Sequence, residues 1–442
     1  MSANSANNRD GHSRREFLQA GSLAGLSLAQ VLRLQDACAA EAAKQDMNCI
    51  FLFAIGGMAH QDMWDLKPNA PAEVRGEFRP IKTNVPGLHV SDLLPGVATV
   101  MDKLAILRSM THGKSDHGAG YHTMMTGKEP VGGGFLVGGS KNNNQHPCLG
   151  SMVSRLGKPG PLPPYICAPN FQDSGGPSFL GPSYGPFVIN ADPAAPEFSV
   201  RDITLPTSVT SERNQRRQAA LREVNRFERR VEEISRQEKA FDAFYEKAYK
   251  LMTSAKAKEA FDITREPEKV REEYGMTSVG QCCLLARRLV EAGCRFVSLE
   301  NGHWDTHRKN TYSLRDLLCP AFDQAIPALM NDLEQRGLLE NTLVVISTEF
   351  GRTPKINDLI GRDHWPNAFS ILMGGAGLKT GQAIGATDKQ AGEVADRPIT
   401  PQDMAATVLK TLGIDHSAVM HTPLGRPVPL ADGGKPVTEL SG

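Results

Sequence analysis

Residues 341–354 read N-T-L-V-V-I-S-T-E-F-G-R-T-P. The run from Thr342 to Ser347 is short, apolar and β-branched, with no polar alternation. Such a run suits a strand covered on both faces, as in a parallel sheet packed between helices. Thr348, Glu349, Gly351 and Arg352 follow at once. Ligands of open α/β sheets bind just beyond the carboxyl ends of the strands, so this polar exit is the first candidate for a site.

Two more runs end in the same manner. Residues 48–55 lead into Gly56-Gly57 and then His60, Asp62 and Asp65. Residues 294–299 lead into Glu300, His303, Asp305 and His307. Three buried strands would thus deliver carboxylates and imidazoles to one sheet edge. Further strands are predicted at 104–107 and 368–373, and helices at 92–101, 119–125, 278–292, 314–335 and 401–412. Ser91 or Asp92 would cap the first helix. Thr400 would cap the last, with Pro401 at its first position. Helix-then-strand units such as 278–299 point to a mostly parallel α/β sheet between helices.

Around this core, three stretches read differently. Residues 132–144 are Gly/Asn-rich and predict a surface loop. Residues 160–200 are dense in Pro and Gly and carry Phe171, Phe179, Tyr184 and Phe187, a pattern of lids and binding loops. Residues 210–260 are charged, with Leu221, Phe227, Val231, Ile234, Phe241 and Phe244 at helical spacing, and predict an inserted helical hairpin.

Residues 1–40 carry Ser13-Arg14-Arg15-Glu16-Phe17-Leu18, a modest apolar run and Ala37-Cys38-Ala39. This order is that of a twin-arginine signal peptide. It predicts the twin-arginine translocase as an export partner, and a periplasmic or secreted mature chain forming one domain over 46–442. No later run reaches eighteen apolar residues, so no stable membrane span is expected in the mature chain. Lys+Arg and Asp+Glu are both 49, which argues against nucleic acid as a partner. The eight cysteines show no C-x-x-C spacing and read as buried hydrophobes. There is no G-x-G-x-x-G after the first strand, no G-x-S-x-G and no phosphate-binding Walker motif.

Histidine carries the remaining signal. His112, His117 and His122 fall in one loop-to-helix segment, and His303, His307 and His364 fall near the late strand ends. Imidazoles and carboxylates on converging loops are the ligand set of a zinc, manganese or iron site. His303 and His307 would share a face if their stretch were helical. Arg352 would clamp an oxyanion, or else cap a helix or pair with an acid. Trp64, Trp304 and Trp365 each abut a candidate ligand, which predicts an aromatic-walled pocket.

With these marks in place, the chain resembles the secreted bacterial family labelled domain of unknown function 1501, a branch of the alkaline phosphatase and sulfatase superfamily. The resemblance covers nearly the whole mature chain. It rests on Gly56-Gly57 with Asp62 and Asp65, on 108–112 (R-S-M-T-H), on Met125-Thr126-Gly127, on Asp305-Thr306-His307 and on 349–354 (E-F-G-R-T-P). It implies an alkaline-phosphatase-like sheet with one or two divalent cations, zinc, manganese or calcium, at its carboxyl edge. Asp62 or Asp65, then Asp305 with His307, Glu349 and His364 match the superfamily's metal ligands. Phe350 stands where a second late imidazole is expected. Counting back from Thr126-Gly127 puts His117 in the place of the sulfatase cysteine, so a formylglycine mechanism is unsupported. Ser115, Thr111 and Ser109 are alternative nucleophiles, a metal-bound water would need none of them, and His117 is itself a possible ligand. The implied activity is metal-dependent hydrolysis of a phosphate, sulfate or related ester, a small molecule with sugar-linked esters among the candidates. The rival is a catalytically degenerate scaffold of the same fold that binds metal or a partner.

Overall fold

The computed structural model describes residues 47–131, 145–158, 160–200, 216 and 254–441. The export signal at 1–40, the loop at 132–144 and most of the insertion at 210–260 lie outside the described residues.

Ten strands matter for the site. In chain order they are β1 (Asn48–Ala54), β2 (Leu104–Met110), β3 (Tyr165–Ala168), β4 (Phe187–Val188), β5 (Phe296–Asn301), β6 (Thr342–Ser347), β7 (Gly351–Arg352), β8 (His364–Trp365), β9 (Phe369–Gly375) and β10 (Gln382–Ile384). Eight of them form one sheet in the order β10-β2-β9-β6-β1-β5-β3-β4. The unbroken apolar runs of β1 and β6 lie at its centre, with both faces covered. Side chains of β1 alternate between two cores. Ile50 and Leu52 pack with Cys282, Leu285, Leu289, Phe322 and Ile326. Cys49, Phe51 and Phe53 pack with Tyr121, Met125, Met152, Met404 and Val408. Among the helices are α1 (His60–Met63), α2 (His117–Thr126), α3 (Leu149–Leu156), α4 (Ser278–Glu291), α5 (Cys319–Gln335) and α6 (Pro401–Thr411). Thus α4 and α5 cover one face, and α2, α3 and α6 the other. The expected α/β sandwich with a mostly parallel sheet is the observed architecture.

Four local expectations change. The strand expected at 368–373 is β9, and it runs antiparallel to both β2 and β6. The helix expected at 92–101 is a 3-10 helix, Val97–Lys103. Its opening N–H groups, Gly96 and Val97, donate to the Asp323 carboxylate at 2.8 and 2.7 Å, so neither Ser91 nor Asp92 caps it. The helix expected at 314–335 opens as a π-helical turn, Ser313–Leu318, before α5. The Pro/Gly-rich stretch at 160–200 is not all loop, because it supplies β3 and β4. The cap on α6 is as expected, and Asp403 completes a reciprocal capping box with Thr400. The seven described cysteines are free and buried. Among the described residues no helix is long and apolar enough to cross a membrane.

Candidate metal centre

Chain direction builds the site. The exits of β1, β5 and β6 lie at one edge of the sheet. Because β9 runs the other way, its entry lies at that edge, and the residues just before it arrive there too. The short ribbon pairing His364 with Arg352 and Trp365 with Gly351 carries His364 back over the exit of β6. Gly56, at φ +119°, lets the exits of β1 and β5 cross. A Cβ there would come within 2.2 Å of the Asp305 amide nitrogen. On the other face, Asp116 caps α2 by accepting the Ala119 N–H at 2.8 Å, which sets His117 at the first position of the helix.

Three imidazoles share one arrangement. His117 Nδ1 lies 2.8 Å from Glu349 Oε1, His307 Nδ1 2.6 Å from Asp363 Oδ1, and His364 Nδ1 2.8 Å from the Ser115 carbonyl oxygen. Carboxylate and carbonyl oxygens accept, so each Nδ1 donates and each Nε2 is turned inward. All three Nε2 atoms face Asp305. His117 Nε2 is 3.3 Å from Oδ2, and His307 and His364 Nε2 are 3.0 and 3.2 Å from Oδ1. The His307 and His364 Nε2 atoms are 3.0 Å apart. Donor atoms of His117, Asp305 and His364 all lie within 4.8 Å of one another. Burial opposes charge on His117, but Asp305 and Glu349 outweigh it and push the ring up to about 9. Burial also opposes charge on Asp305, yet hydrogen bonds from His117, His364 and Arg352 hold its carboxyl far below the usual range.

A buried frame fixes these groups. Glu349 is fully buried and also accepts the Gly56 N–H at 2.7 Å. Arg352, equally buried, donates through Nη2 to Asp305, through Nε to the Gly57 carbonyl at 3.0 Å and through Nη1 to the Arg362 carbonyl at 3.0 Å. Arg362 in turn grips Asp62 with Nε and Nη2, each at 2.8 Å. Phe350 is fully buried with its ring 4.5 Å from that of His364 and 5.2 Å from that of His117.

The cluster therefore unites His117, Asp305, His307 and His364 from the predicted set, with Glu349 beneath it. Asp62 and Asp65 do not join it. Asp62 has both oxygens on Arg362 and takes the Asn310 amide at 2.7 Å. Asp65 pairs with Lys67 at 3.0 Å and Arg108 at 3.3 Å and accepts the Thr387 hydroxyl. Arg352 has a protein partner on each guanidinium nitrogen and clamps Asp305. Ser115 is exposed and contributes its carbonyl. His303 is exposed in an irregular stretch, so the helical pairing with His307 does not form. His122 is buried against Ser174 and His146, away from this cluster. Trp64 and Trp304 are core residues packed on Phe322, and only Trp365 is part-exposed. The aromatic wall is accordingly Phe350, not the tryptophans. In the sequence Asp363 stands out only as the neighbour of His364, and Arg362 is not singled out. The Asp363-His364 pair, about one loop from Glu349, carried that signal, and Arg362 had none.

A family model described as "Protein of unknown function (DUF1501)" matches residues 46–441. Curated proteins give no match. Solved structures similar to the chain include the PsFucS1 sulfatase from Pseudoalteromonas sp., 16% identical over 92% of this chain and 76% of that one, TM-score 0.38. A protein in the alkaline phosphatase superfamily from Vibrio parahaemolyticus is 13% identical over 89% of this chain and 69% of that one, TM-score 0.39. The phosphonate monoester hydrolase SpPMH from Silicibacter pomeroyi is 12% identical over 90% and 77%, TM-score 0.37.

Proposed function

The chain belongs to the family of proteins of unknown function DUF1501, and for this member we propose metal-dependent hydrolysis of a phosphate, sulfate or related ester. The observation that carries the reading is the common anchoring of three imidazoles by Nδ1 with their Nε2 atoms turned onto one carboxylate. Imidazole lone pairs 3.0 Å apart repel unless a cation or proton lies between them. Nitrogen donors with one carboxylate, backed by Asp363 and Glu349, form the donor set of zinc or manganese. His117, Asp305, His307 and His364 would hold the ion. Such an ion would supply Lewis-acid polarisation of the ester. Glu349, Asp363 and the Ser115 carbonyl keep the three rings in register, and Arg352 holds Asp305 in place.

The ester class rests on the sequence resemblance to the alkaline phosphatase and sulfatase superfamily, and a sugar-linked small molecule is the proposed substrate. Export by the twin-arginine translocase to the periplasm or beyond rests on the motif at 13–18. One observation favours the scaffold reading instead: each guanidinium nitrogen of Arg352 has a partner inside the protein.

The test is elemental analysis of protein purified without chelator, with a panel of aryl phosphate, phosphodiester and sulfate esters. Bound metal that falls in both His307→Ala and His364→Ala, together with turnover of one ester class, is the expected result. Bound metal without turnover selects the scaffold. Folded wild-type protein that takes up no metal removes the hydrolase reading and the metal-binding scaffold, and leaves only a scaffold that binds a partner.

A further inference from the structure

A second recess lies apart from the imidazoles. It is an open groove of about 590 Å³, and none of His117, Asp305, His307 or His364 lines it. Its walls come from Leu66, from Val85 and Leu88 at a hairpin tip, and from Ala383 on the edge strand β10, with Trp64, Asp65 and Arg108 also in the lining. The volume is that of sites for drug-sized molecules, which combine apolar walls with a few fixed polar groups.

The charge around Arg108 is unbalanced. Asp65 is buried, and its Oδ1 faces two cations, Lys67 at 3.0 Å and Arg108 Nε at 3.3 Å, while Oδ2 accepts from Thr387. One carboxylate therefore neutralises two positive groups only in part. The Arg108 guanidinium is further held by donation from Nη2 to the Trp64 carbonyl at 3.1 Å. Its Nη1 meets no partner among the described residues. A fixed, half-buried guanidinium with a nitrogen to offer, set in the wall of a mostly apolar groove, recognises an anionic oxygen carried on an apolar body. We propose that this groove binds an organic anion, a carboxylate, sulfonate or sulfate on an apolar or ring-shaped body, with the anion on Arg108. This gives Asp65 a role other than metal binding: it orients Arg108, and Lys67 keeps Asp65 from cancelling the guanidinium charge.

The experiment is calorimetric titration of the full chain with 2-naphthalenesulfonate and with the neutral 2-naphthalenemethanol. The sulfonate should bind about tenfold more tightly, the scale of a hydrogen bond to a charged group. That preference should shrink as salt is raised. Arg108→Met should abolish the preference. Lys67→Gln, on a part-exposed side chain that leaves the groove walls untouched, should reduce it. Equal affinity for the two probes, no binding of either, or a preference that survives both substitutions would overturn the assignment. None of these readouts depends on whether the imidazole cluster binds metal.

Discussion

Gly361 sets how closely two turns can stand. A Cβ at this position would lie 1.9 Å from the His307 carbonyl oxygen and 2.6 Å from the Arg308 nitrogen. Gly361→Ala should force the 357–361 turn away from His307, lowering both the melting temperature and the metal bound by folded protein, read by calorimetry and elemental analysis. Its neighbour Ile360 is β-branched, stands at φ +57° and is 60% exposed. Little burial offsets the backbone strain, so Ile360→Asn should stabilise the protein by about 1 kcal/mol in urea unfolding. A loss of stability would show that the isoleucine side chain contributes more than its backbone costs. The same scale explains which residues of the cluster were legible. Asp305, His307 and His364 could be read because acids and imidazoles at strand exits are rare without a purpose. Asp62 and Asp65 stand at an equivalent exit, yet arginines far along the chain, Arg362 and Arg108, claim their charges. No periodicity tells which carboxylate a distant arginine will take.

Elements show the same division. The apolar run of β9 was legible within two residues of its ends, but an apolar run carries no direction, and the reversed strand is what brings His364 to the edge. Likewise β3 and β4, with four and two residues, are too short for a period to emerge from a Pro/Gly-rich background. The start of α2 lies two residues before the expected 119 because Asp116 caps it. Asp116→Ala should therefore cost about 1 kcal/mol, and would release His117 from its place above Glu349. At the start of α1, burial lowers His60 from the usual imidazole value of about 6.5 to about 4, and burial likewise lowers His112, just after β2, to about 4. The unfolded chain takes up these protons near pH 6.5 and the folded one only near 4, so stability falls as pH drops through that window. For fully buried His60 the loss by pH 4 is on the order of 3 kcal/mol. Urea unfolding between pH 7 and 4 should show this slope, and His60→Gln or His112→Asn should each flatten it.

On the scale of the whole molecule, the α/β sandwich was the most legible property, because centre strands buried on both faces announce themselves by composition alone. The order of the strands was not, since it depends on which distant segments pair. That order has a bearing on how the chain comes into being. Strand β1 is made near the start, yet its partners are β5 and β6, ending at residues 301 and 347. During synthesis its two hydrogen-bonding edges stay open while nearly three hundred further residues emerge, and such non-local pairing is slow and exposes strand edges. A fragment of residues 47–290 should remain protease-sensitive and aggregate, whereas one of 47–441 should resist. A nascent chain stalled before residue 296 should recruit chaperones at β1, and should lose them once residue 347 has cleared the ribosome.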